Sequence, residues 1–318
     1  MPLRGSENRS AGKLLKVYTQ RDLGPGGVDG ERIKPPQPEN FSSPKIISAS
    51  GGTETTYTHT HPTFGSCTYK SHTFTSSGSF TITSAPGNPN YDIDYIVIAG
   101  GGGTAQTSQG SNREAGSGGG GGLLGQGLTV TSPITYPVTI GGGGPDSGSN
   151  GSNTTFAFPV NQVAVGGGKG GHSDPAPTAL GTPGGNGGGA WYVFGSVEGG
   201  EGTQTGDPTT NPYLNAPVLA YGNDGSPGFA GPEYGGGGGG CGGVGQRGNE
   251  NATSPNGLAN TYRYGPTNSQ MYGAGGVSSD FPSTPRRADG AVNSGNGSSA
   301  KGHGGSGIVV VRYVIAQL

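Results

Sequence analysis

IDYIVIAGGGG, residues 93–103, decides how this chain has to be read. Residues 93–99 are apolar on both faces of an extended chain, as expected of a strand buried in the middle of a sheet. The segment then passes straight into four glycines. The chain closes on a matching stretch, IVVVRYVI at 308–315, its most apolar segment. A strand so apolar cannot stay on an open edge without inviting aggregation. It is expected to enter the same sheet as Ile93–Ala99, so that the two ends of the body clamp what lies between them.

What lies between is built on glycine, which fills 72 of 318 positions, with unbroken runs at 100–103, 118–122, 141–144, 187–189 and 235–240. Ordering a glycine costs roughly 0.5–1 kcal/mol more than ordering an alanine. Summed over the chain, that penalty exceeds the net stability of an ordinary domain, about 5–15 kcal/mol. Either these runs never order, or they order because backbones approach closer than a β-carbon allows. Disorder goes with high net charge and few aromatics. Here the net charge is -2, with 14 Tyr, 9 Phe and one Trp, so the folded alternative is favoured. No Gly-X-Y register persists, which excludes collagen.

Polyglycine favours an extended left-handed helix with three residues per turn and no internal hydrogen bonds. Such helices must pair laterally through N–H···O bonds, assisted by Cα–H···O contacts. Strand signals precede the runs. Tyr69–Phe74 and Ser79–Thr83, joined by Ser76-Ser77-Gly78, read as a hairpin; 128–131 with 134–140 and 154–158 with 162–165 read as two further pairs. The expected fold is mainly β with irregular glycine-rich structure. Small sheets clamp a bundle of polyglycine II helices, preceded by an extended N-terminal arm. Three regions follow: a Pro/Gly-rich anchoring arm at 1–45, a β-prone linker at 46–66 and the glycine-rich body at 67–318.

Eight Lys and Arg against five acids give the arm +3, leaving -5 for the remainder. Nucleic-acid binding needs denser basic clusters than this. No stretch approaches the ~18 apolar residues of a membrane span, and residues 1–21 lack the apolar centre of a secretory signal. Within the arm, Leu14, Leu15, Val17 and Tyr18 form an apolar segment; the arm reads either as a disordered tail or as an anchor that orders by lying along a partner subunit.

Chemistry-bearing motifs are few. Ile96–Ala105 matches the dinucleotide fingerprint in form, but no helix signal follows and no acid ends a second strand. Lys169 sits among glycines, yet Gly170 stands where a phosphate loop needs Ser or Thr. No cofactor is expected, and no triad or carboxylate pair argues for an enzyme. His59 and His61 alternate and so project from one face of a strand. In a homotrimer they would bring six imidazoles toward the axis, a metal-site arrangement to set against two solvated histidines. Trp191, Tyr192, Tyr213, Tyr221, Tyr262, Tyr264 and Tyr272 lie in loops rich in Asn, Ser and Gly, the composition of recognition surfaces. They are the candidate receptor contacts; the bland alternative is that the rings shield backbone.

HTFTSSGSFTI (72–82), DYIVIAGGGG (94–103), YPVTIGGGG (136–144) and GGSGIVVVRY (304–313) occur in an order that resembles glycine-rich virion proteins of tailed bacteriophages. The resemblance covers roughly residues 67–318. It is similar in kind to tail-fibre adhesins in which a sandwich of polyglycine helices displays host-recognition loops. It implies a protein on the virion surface, attached to tail or capsid proteins through residues 1–45. Its loops would then meet a host glycan or protein. The alternative is a capsid decoration or head-fibre protein with a purely structural role. The arm matches no attachment domain of that group.

Overall fold

A computed structural model describes residues 46–85, 92–105, 114–130, 133–172, 179–191, 197–204, 218–228, 235–247, 254–278 and 288–318. The arm residues Leu14, Leu15, Val17 and Tyr18, and Tyr192 and Tyr213, lie outside them. The strands in chain order are β1 (Ser48–Ser50), β2 (Thr53–His61), β3 (Gly65–Phe74), β4 (Gly78–Ser84), β5 (Asp92–Ile98), β6 (Gly122–Thr129) and β7 (Ile134–Thr139). They continue with β8 (Thr154–Phe156), β9 (Gln162–Ala164), β10 (Val218–Tyr221), β11 (Leu258–Asn260), β12 (Gln270–Tyr272) and β13 (Ile308–Gln317). The protein is all-β, with no helix among the described residues.

The two apolar segments meet as expected. β13 pairs antiparallel with β5, Val309 opposite Val97 and Arg312 opposite Asp94. They occupy the centre of a six-stranded sheet ordered β10-β6-β5-β13-β3-β2. Alternation divides their side chains between two cores. Ile93, Tyr95, Val97, Val309, Val311 and Tyr313 face one way, and Ile96, Ile98, Ile308 and Val310 face the other. Against the first face packs a five-stranded sheet, β1-β4-β7-β8-β9, contributing Phe80, Ile82, Val138 and Phe156. The second face is covered in part by Tyr262 and Tyr272 from the β11–β12 hairpin and its loop.

Of the three expected strand pairs, only β8 with β9 closes a ladder. β3 and β4 belong to different sheets, as do β6 and β7. Phe74 at the end of β3 and Phe80 in β4 enter the same core from opposite layers, so the Ser76-Ser77-Gly78 turn carries the chain across the sandwich. A tight turn between two half-buried strands reads alike in both cases; the choice depends on where each apolar face finds its partner. Residues 46–66 are also part of the sheets rather than a linker. β2 runs in register along β3 from Thr53–Thr73 to His61–Gly65, and Lys45–Leu318 forms one compact unit.

The glycine runs form an ordered lattice. From Gly116 to Gly121, successive N–H groups donate to the carbonyls of Gly236, Ser298, Gly168, Gly239, Gly295 and Val165 at 2.7–3.1 Å. Every third residue thus returns to the same neighbour: Gly116 and Gly119 to one run, Ser117 and Gly120 to a second, Gly118 and Gly121 to a third. Ala99–Thr104 repeats the pattern, with Gly100 and Gly103 bonding Ser152 and Ser149, and Gly101 and Thr104 bonding Gly305 and Gly302. A threefold repeat of bonds directed outward is the signature of the polyglycine II helix. None of the glycines within 100–103 or 116–121 has a positive φ.

Close approach is the reason for glycine here. A Cβ on Gly102 would lie 2.1 Å from the Gly168 oxygen, and one on Gly238 would lie 2.0 Å from the Ser117 oxygen. Where a side chain is admitted it joins the hydrogen bonding. Buried Ser117 donates from Oγ to the Gly102 carbonyl at 2.6 Å, and Asn186 donates from Nδ2 to Gly120 at 2.9 Å.

Candidate functional site

At one end of the second face of the six-stranded sheet the hairpin cover stops, leaving a cleft of about 450 Å³. Its floor holds Arg312 of β13 and Tyr69 of β3. His59 and His61 come from β2 at one side, Asp92 and Asp94 from β5 and Gln126 from β6 at the other. Cross-strand register places these groups together. Arg312 stands opposite both Asp94 and Ser71 in the two ladders it joins.

Arg312 is the centre of the floor. Its Nε donates to Asp94 Oδ2 at 2.9 Å, and Nη2 lies 2.9 Å from the same oxygen as an ion pair. Its guanidinium lies 3.8 Å from the ring centre of Tyr262 and 4.9 Å from that of Tyr69. Burial opposes its charge; Asp94 and the hydroxyls of Tyr57 and Tyr262 more than offset this, so its pKa is raised. Nη1 has no partner in hydrogen-bond geometry. Asp94 is fully engaged, since its Oδ1 accepts from the Gly127 N–H at 3.0 Å. Burial raises the Tyr69 phenol to about 12 and moves Tyr262 upward too, so both are neutral hydroxyls at any physiological pH.

The walls carry the groups left available. Burial raises Asp92, while its bond from the Thr129 hydroxyl lowers it. Burial also lowers His59, favouring the neutral ring. His61 Nδ1 accepts from the backbone N–H groups of Thr63 and Phe64 at 3.0 and 3.2 Å. In the neutral ring the proton therefore sits on Nε2. Gln126 donates from Nε2 to the Tyr262 hydroxyl at 2.7 Å, which leaves its carbonyl oxygen as an acceptor.

The two histidines do share one face, half-buried and turned to the cleft of their own chain. No group of three or more His, Cys, Asp or Glu able to hold a metal ion occurs among the described residues. Among the aromatic receptor candidates, Trp191, Tyr262 and Tyr272 are buried and correct the expectation of displayed rings. The Trp191 ring packs on Gly235, where a Cβ would come within 2.8 Å of it. Tyr262 stacks on Arg312, and Tyr272 belongs to the second core. Tyr221 is half-buried on β10, and Tyr264 is exposed with Arg263 over its ring at 4.8 Å. No sequence signal flagged Arg312, Asp94, Asp92 or Gln126, because residues 94, 126 and 312 meet only through strand order.

A two-sheet β-sandwich continued by a lattice of polyglycine helices defines a glycine-rich all-β protein. Residues 75–314, well over half of the chain, match the glycine-rich domain family, and the chain belongs to it. Comparison with curated proteins finds no match. No helix among the described residues is long and apolar enough to cross a membrane.

Proposed function

We propose that this chain is a structural protein of a bacteriophage virion, a fibre or adhesin component exposed on the particle surface. Residues 1–45 anchor it to tail or capsid proteins, and the glycine-rich body projects outward as the host-facing part. The observation that carries this reading is the threefold hydrogen-bond repeat of runs 99–104 and 116–121. A framework cross-linked main chain to main chain is rigid without depending on a thick apolar interior. It provides a firm base for whatever the segments between its runs carry, which is what display requires. The order of the sequence blocks, which resembles that of phage glycine-rich proteins, supports the same reading. In this reading the protein performs no catalysis.

Locating the polypeptide on purified particles by electron microscopy tests the assignment, together with loss of the protein from particles when residues 1–45 are deleted. A chain absent from particles would refute it. The decoration or head-fibre reading gains from one observation. Three of the aromatic residues considered for display, Trp191, Tyr262 and Tyr272, are used in packing. Exchanging the loops between residues 191 and 289 separates the two, because an adhesin changes host range and a decoration protein does not.

A further inference from the structure

We infer that the cleft above Arg312 binds a neutral, hydroxyl-rich ligand, a sugar or related polyol, held between His59 and His61 on one wall and Asp92 and Gln126 on the other. The inference concerns the sandwich rather than the loops of the glycine lattice. It stands whether or not the chain is displayed on a particle.

The reasoning is a count of what each lining group can still do. Asp94 and Arg312 neutralise one another, and Asp94 has both oxygens engaged. The one Arg312 donor left over, Nη1, is buried, so the pair forms a floor rather than a site of ion capture. The walls then present two acceptors, the Asp92 carboxylate and the Gln126 carbonyl, facing a donor, the His61 Nε2–H. His59, with no hydrogen bond from its ring among those described, adds one donor and one acceptor. Asp92 and His61 line the same cleft.

A ligand that satisfies such a lining has to donate on one side and accept on the other. An ammonium group can only donate and a carboxylate can only accept, while a phosphate brings negative charge against Asp92. A hydroxyl does both, and adjacent ring hydroxyls can chelate one carboxylate. The volume, about 450 Å³, lies within the range of small-molecule sites, about 300–1,000 Å³. Asp92 makes the cleft unwelcoming to anions, and its burial gains most from a ligand that brings hydroxyl donors.

The test is a titration of the full chain with methyl glycosides of glucose, galactose and mannose, followed by ligand-observed NMR and by amide shifts of the protein. Methylammonium and inorganic phosphate serve as controls. Saturable binding of at least one glycoside at millimolar concentration, with amide shifts confined to Thr60, Gly127 and their neighbours, is expected. Asp92→Asn and His59→Ala should each weaken it about tenfold or more, the loss expected for a hydrogen bond involving a charged or buried partner. No saturable glycoside binding, undiminished binding by both variants, shifts clustered elsewhere, or a response to methylammonium or phosphate alone would each overturn the inference. Should a variant fold poorly, the location of the shifts in the unaltered protein still decides. A chain missing from particles yet binding sugar would sink only the virion reading, and the converse would sink only this one.

Discussion

Gly118→Ala probes the glycine lattice at a crowded point of its interior. The new Cβ would stand 2.1 Å from the Asn186 carbonyl oxygen and 2.7 Å from that of Gly187, all of it backbone. Non-bonded heavy atoms settle at roughly 3.5 Å, so one run has to move by more than an ångström. The Asn186 oxygen accepts from Gly168 N at 2.8 Å, Gly118 N donates to Gly168 O at 2.8 Å, and Gly118 O accepts from Gly102 N at 2.9 Å. A shift of that size breaks at least one of these bonds and leaves two buried groups unpaired, each costing about 1–3 kcal/mol. Against this, alanine lowers the entropy of the unfolded chain by about 0.4–1 kcal/mol. The expected net loss is about 3 kcal/mol, a large part of ordinary domain stability. Gly142→Ala is the matched control, since a Cβ there meets nothing within 4 Å. It should leave stability unchanged or raise it by up to about 1 kcal/mol. Urea unfolding followed by fluorescence of the single Trp, buried against Gly235, reads both variants. If the two unfold within about 0.5 kcal/mol of each other, the size of ordinary surface effects, close backbone packing is not what these glycines are for.

The buried ion pair gives a second expectation. Arg312→Met strands Asp94 beside an apolar neighbour and should cost about 3 kcal/mol, whereas Arg312→Met combined with Asp94→Asn should recover much of it. A double-mutant cycle showing simple additivity would contradict this. Acid sensitivity provides a third. His72 donates from Nδ1 to the Gly51 carbonyl at 2.7 Å and accepts at Nε2 from the Tyr313 hydroxyl at 2.9 Å, a neutral ring. Burial lowers its pKa, although the Gly51 carbonyl and Glu54 oppose this. The unfolded chain therefore takes up the proton first. Stability is complete above about pH 6.5 and declines as pH falls from there toward the folded value. The urea midpoint should drop between pH 7.5 and 5.5, and His72→Gln should flatten that slope; a midpoint that rises on acidification has the wrong sign. Finally, Cys67 and Cys241 are free and buried, and burial pushes the Cys241 thiol up to about 12. Neither should react with iodoacetamide at pH 8 until the chain is unfolded, and mass spectrometry of the native protein would reveal any early labelling.

The amino-acid sequence by itself determined the materials. Ile93–Ala99 and Ile308–Ile315 are apolar on both faces, which leaves only the interior of a sheet for them, and there they pair. Runs without side chains can be ordered only by main-chain contact at close range, and the threefold bonding is the consequence. The tertiary structure decided partners. Whether Ser76-Ser77-Gly78 closes a hairpin or crosses between layers is set by which core receives Phe74 and Phe80, a contact the turn does not encode. Whether Trp191, Tyr262 and Tyr272 face solvent or backbone depends on neighbours such as Gly235 and Arg312, brought in from far along the chain. The cleft was invisible for the same reason, because Asp94 and Arg312 lie 218 positions apart and meet through one strand register. Local chemistry specifies what a segment can become; the side chain that meets it across a sheet is fixed only when the apolar faces have all found cover.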